Sequence, residues 1–149
     1  MYELVLYIHV LSAIIWVGGA FFAQVLLFRA TRSSDPTDLP RLGAYLDYLG
    51  IRVFLPAAIV LFIAGLILVV QRFSFSQLWI SISMLLWLVS VLVGALYLGP
   101  RSGKVGALFA AEGPTSVAGR AGLARILLVS RLELVSFAII VALMTFKPG

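Results

Sequence analysis

The sequence predicts an all-α integral membrane protein, a bundle of four transmembrane helices. Three observations predict it. The 149 residues are 62% apolar and only 11% charged, with a mean hydropathy of +1.13. A soluble domain carries roughly 25% charged residues, and a soluble globule of this size has too much surface to hide so much apolar matter. Four runs reach the ~20 residues that a helix needs to cross ~30 Å of hydrocarbon. These runs are continuous, not alternating every second residue, which disfavours a membrane β-barrel. Soluble enzymes, secreted disulfide modules and disordered tails are excluded at once. The absence of cysteine excludes disulfides, thiolate metal sites and a cysteine nucleophile.

The first span covers residues 4–28. The chain opens Met1-Tyr2-Glu3, with an acid and no base, and the apolar run is too long for the core of a cleavable signal peptide. It reads as a true span. The stretch from Arg29 to Arg52 begins with the polar patch Ser33-Ser34-Asp35-Pro36. After it, Leu39, Leu42, Tyr45, Leu46 and Leu49 recur at helical spacing, which predicts a short interfacial helix between spans 1 and 2. The second span covers 53–70. Pro56 lies in its first turn, where its missing N–H costs little, and Gly65 at mid-span suggests a close helix crossing.

The link from Gln71 to Gln77 is tight, so the second and third spans form an antiparallel hairpin. The third span covers 78–98. The stretch from Arg101 to Arg125 is rich in Gly and Ala and broken at Gly113-Pro114; beyond the break an extension of the fourth helix begins. The fourth span covers 126–146 and holds Arg131 and Glu133. Residues 1–149 form a single transmembrane domain. Arg29, Arg32, Arg41, Arg52, Arg101, Lys104, Arg120 and Arg125 lie on the side of the long connections, against Arg72 and Lys147 on the other. This bias predicts that both termini face outward from a bacterial cytoplasmic membrane. The net charge of +5 is therefore an orientation device, and nucleic acid is not an expected partner. The bilayer is, with a homo-oligomer or a larger membrane complex beyond it.

His9 is the one histidine, in the outer half of the first span. An ionisable group inside a membrane is costly and marks a functional site by default. Imidazole ligates haem iron or copper, or shuttles protons; equally, a neutral His donates one hydrogen bond to a neighbouring helix. His9 shares a face with Ser12, Trp16, Gly19 and Ala23. That stripe is either a slot for a flat ring or a seam for another backbone. Met84, at similar depth in the third span, is either a thioether ligand or core filler, and Met144 is a further thioether.

Glu133 aligns with Ser130 and Phe137 and faces the bundle. Arg52 lies at compatible depth and is its expected partner, in a structural ion pair or a proton relay. Arg131, two residues away, points to nearly the opposite side and snorkels to the headgroups.

The run His9-Val10-Leu11-Ser12-Ala13-Ile14-Ile15-Trp16-Val17-Gly18-Gly19, together with Arg52-Val53-Phe54-Leu55-Pro56, Leu98-Gly99-Pro100-Arg101, Ser130-Arg131-Leu132-Glu133 and the ending Met144-Thr145-Phe146-Lys147-Pro148-Gly149, resembles a family of small bacterial predicted integral membrane proteins of unknown function. The resemblance spans the chain and implies four helices but no activity. His9 and Trp16 alone are also similar to the first helix of two other families, copper-resistance D and the membrane protoporphyrinogen oxidase, which binds haem. A lysine that the oxidase family has in a later span is missing here, since Lys104 and Lys147 lie outside the spans.

These features lead to an expected function: a small haem- or porphyrin-associated membrane protein in electron transfer or haem metabolism. Haem b would be the cofactor, His9 its axial ligand and Met84 the sixth, with Trp16 and Gly19 shaping the ring pocket. A non-catalytic accessory subunit of a larger complex is the alternative. Copper handling through His9 and methionines is a third.

Overall fold

The computed structural model describes residues 1–148. Four long helices run up and down: α1 Tyr2–Ala30, α2 Asp38–Arg72, α3 Leu78–Glu112 and α4 Val117–Phe146. All four are long and apolar enough to cross a membrane, and no strand occurs among the described residues. The breaks fall where turn chemistry dictates. Asp35 accepts hydrogen bonds from the Thr37 amide at 2.8 Å and the Thr37 hydroxyl at 2.7 Å in the first connection. Gly113 takes φ +80°, a conformation that favours glycine. The Ser116 hydroxyl then caps α4 by accepting the Gly119 amide at 3.0 Å.

The second and third helices are 35 residues each. At ~1.5 Å per residue each is about 52 Å long, roughly 20 Å more than the hydrocarbon thickness. The expected interfacial helix is therefore not separate: it is the first part of α2. The physical reason lies in its apolar stripe. Leu39, Leu42 and Leu46 pack against a buried cluster of Leu27, Val105, Phe109, Leu123 and Ile126, so the stripe is spent on protein contact. Tyr45 and Tyr48, 63% and 60% exposed, take the outer face. The Gly-rich stretch after Arg101 is likewise helical, the end of α3.

Glycine holds these two overhanging arms together. A Cβ on Gly43 would stand 2.6 Å from the Ser102 carbonyl oxygen and 2.8 Å from the Gly106 Cα. No real Cβ tolerates that, so only glycine lets α2 and α3 meet backbone to backbone. In the other half of the bundle the same two helices stand apart and aromatic rings fill the gap. Phe62 stacks on Trp87 with centroids 4.1 Å apart, and Trp87 Nε1 donates to the Ala58 carbonyl at 3.1 Å.

Cation–aromatic pairs mark the two ends. Arg32 lies over Phe28, Arg52 over Tyr48 and Arg101 over Tyr97 at the basic end; Arg72 lies over Tyr2 and Lys147 over Phe73 at the other. From Arg52 to Arg72 along α2 is about 30 Å, which matches the hydrocarbon thickness.

Three helices each carry one π-helical turn: Ile14–Gly18 in α1, Gly50–Phe54 in α2 and Gly94–Leu98 in α3. Such turns are rare and occur often at functional sites. Here all three lie at one level and border the same space.

Candidate functional site

That space is a cavity of about 110 Å³ between all four helices. The π turns contribute Trp16 from α1, Gly50 and Phe54 from α2, and Gly94, Ala95 and Leu98 from α3. Away from the basic end, Trp16 and Phe137 close it with ring centroids 4.7 Å apart, backed by Ala58 and Leu61. Toward the basic end, the cluster of Leu27, Val105, Phe109, Leu123 and Ile126 closes it.

The walls are apolar apart from a few convergent groups. Gln24 on α1 accepts a hydrogen bond from the Ser130 hydroxyl on α4. Ser90 on α3 is buried beside the Glu133 carboxyl and has its hydroxyl 3.4 Å from that of Ser136. Ser102 completes the set. Glu133 is the one titratable side chain in the lining.

No basic group sits beside it. Arg52, the expected partner, is exposed, with its guanidinium 5.8 Å over the Tyr48 ring. The reason is local: Arg52 stands on the outward face of the π turn and stacks on the residue one turn earlier, at the membrane boundary. Arg131 is exposed too, as its two-residue offset from Glu133 requires. The expected ion pair does not form among the described residues.

His9 lies elsewhere. Its Nδ1–H donates to the Leu61 carbonyl at 2.9 Å. A Cβ on Gly65 would come within 3.0 Å of its Cε1 and 3.2 Å of its Nδ1. The missing side chain at Gly65 is thus the notch that receives the imidazole. Gly19 is filled in the same way, by the Phe54 ring. Met84 packs with Val69, Trp79 and Ile80 in a third cluster, and Met144 is exposed.

Of the four residues expected around a flat ring, only Trp16 lines the cavity. The room a porphyrin would need beside His9 and Gly19 is taken by the α2 backbone and by Phe54. The side chains present do not fit that group.

Three polar members of the cavity, Gln24, Ser90 and Ser102, lie outside the expected site. Gln24 was detectable as the one amide within the first apolar run, eight residues from Trp16 and so on nearly the same face. Ser102 lies in a stretch that reads as a connection, and no sequence signal gives it depth.

A family model described as "Predicted integral membrane protein (DUF2269)" matches residues 3–148. The chain belongs to this family. The whole-chain resemblance read from the sequence is the one this match bears out. No curated protein and no solved structure matches the chain. Membership brings a multi-pass membrane protein in contact with lipid, and no activity. The groups of the cavity can accept and donate hydrogen bonds around an apolar body. No nucleophile, histidine and acid meet there, since His9 is in the α1–α2 seam.

Proposed function

We propose that this protein is a membrane-embedded binding protein whose cavity takes one small, largely apolar molecule and orients it through Glu133. One observation carries the reading: the single titratable group of the cavity faces open space in the membrane half of the bundle, without a basic partner. An apolar pocket with a few convergent polar groups is the usual form of a ligand site, and an ionisable residue within a membrane marks function by default. At ~10–15 Å³ per water-sized sphere, the volume admits a ligand of about ten non-hydrogen atoms. The basic end faces the cytoplasm of a bacterial inner membrane by the charge bias.

The chain has no cysteine, so single cysteines report access directly. Ala20 lines the cavity, whereas Ser83 is 1% exposed and lies outside the lining. The Ala20→Cys protein in detergent should react with methyl methanethiosulfonate, and benzyl alcohol should slow the reaction saturably. The Ser83→Cys protein should stay unlabelled. Equal rates at the two positions, or no protection by the alcohol, would sink the proposal.

A further inference from the structure

The cavity also carries information about the charge of its occupant, an inference that rests on the binding reading above. Its lining holds one carboxyl and no basic side chain. Arg52 and Arg131, the nearest in sequence and span, are both turned to the outside. Buried charges in proteins are paired, and here the pairing group is missing from the chain. The basic residues of the overhanging end lie beyond the plug of Leu27, Val105, Phe109, Leu123 and Ile126, and do not reach the cavity.

Three aromatic rings line the same space: Trp16, Phe54 and Phe137. The face of an aromatic ring carries negative potential and attracts ammonium groups, most strongly where water is excluded. Trp16 and Phe137 are both buried and tilted at 57° to one another, so their faces are not spent on parallel stacking. A carboxylate supplies the net charge for a cation, and rings receive its alkyl shell. An anion finds neither. A neutral molecule uses the hydroxyls of Ser90 and Ser130 but leaves the carboxyl without a counter-charge.

We infer that the ligand of this cavity is a small organic cation, an amine or quaternary ammonium carrying an apolar body, held between the Glu133 carboxylate and the rings of Trp16, Phe54 and Phe137. No bond is made or broken in this step. No other titratable group lines the cavity to compete for the cation.

The same labelling reaction tests the class. On the Ala20→Cys protein, benzyltrimethylammonium should protect at about one-tenth of the concentration that benzyl alcohol requires, and phenylacetate should not protect. Adding Glu133→Gln should abolish the preference for the cation and leave protection by the alcohol in place. If the cation protects no better than the alcohol, or if phenylacetate matches it, the class is wrong while the binding reading stands. If the preference survives Glu133→Gln, the assignment to Glu133 is wrong. If the Ala20→Cys protein is not labelled at all, the cavity is not accessible and the binding reading itself falls. The three-probe series needs only the Ala20→Cys protein, so it decides the class even if the double variant does not fold.

Discussion

His9 and Glu133 are both ionisable side chains within membrane-spanning helices, and their surroundings are opposite. His9 fits a notch that Gly65 leaves open, and the Leu61 carbonyl accepts a hydrogen bond from its Nδ1–H. Every feature around it is explained by packing two helices. Glu133 faces a cavity that three π turns border, beside a serine and without a basic partner. The difference teaches that depth alone does not make a site. What marks one is a polar group whose partner the protein leaves out.

The contrast can be broken from the His9 side first, where the largest effects are expected. Gly65→Leu should drive a side chain into the imidazole and cost about 3 kcal/mol or more, since overpacking a tight contact costs ~1–3 and occasionally more. Thermal unfolding in detergent measures it, and a Tm equal to the parent's would mean that His9 is free to move aside. His9→Ala should cost about 2 kcal/mol, from a lost hydrogen bond and an unfilled notch. With haem precursor supplied, it should give the same reduced-minus-oxidised spectrum as the parent. A haem band that disappears in the variant would make His9 a ligand and overturn the packing account.

Glu133→Gln should behave differently, changing stability by less than ~1 kcal/mol because no ion pair is broken. A loss of several kcal/mol would reveal a charged partner inside the bundle. Arg52→Ala should be smaller still, within the ~0–1 kcal/mol of an exposed cation.

The smallest effect belongs to the first connection. Hydrogen bonds from the Thr37 amide and hydroxyl hold the Asp35 carboxyl below the usual carboxylate range. A depressed acid stabilises the fold above its unfolded value of ~3.9, and that contribution is lost as pH falls through its lower folded value. The protection of the Thr37 amide, its exchange rate relative to the intrinsic rate at the same pH, should therefore fall only in strongly acidic solution, and Asp35→Asn should remove that fall. The same fall in that variant would show that Asp35 is not the group titrating.

The four spans were legible because apolar runs of that length have no other use. The overhang of α2 and α3 was not. Gly43 falls within the stretch read as a short interfacial helix, and Gly103 and Gly106 within a stretch read as a connection; only the opposite helix shows why they are there, since Gly43 and Gly106 let two backbones touch. Glu133 was legible as a charge at the wrong depth. Its isolation was not, because sequence gives neighbours along a helix and not across one; the same blindness made Arg52 a plausible partner and hid the fit of His9 to Gly65. The cavity was least legible of all. π turns border it on three helices, and Ile14–Gly18 lies within an unbroken apolar run that gives no cue to a change of pitch.

The paired rings of Trp16 and Phe137 also divide the protein electrically. They form an apolar layer on one side of the cavity, and the cluster of Leu27, Val105, Phe109, Leu123 and Ile126 forms another on the basic side. Where such layers exclude water, the membrane voltage drops across them, and anything held between them sits part of the way down the field. A unit charge carried across the whole field gains or loses ~2.3 kcal/mol per 100 mV, so a charged occupant would feel a fraction of that. Binding in this cavity would then respond to the energised state of the cell as well as to concentration.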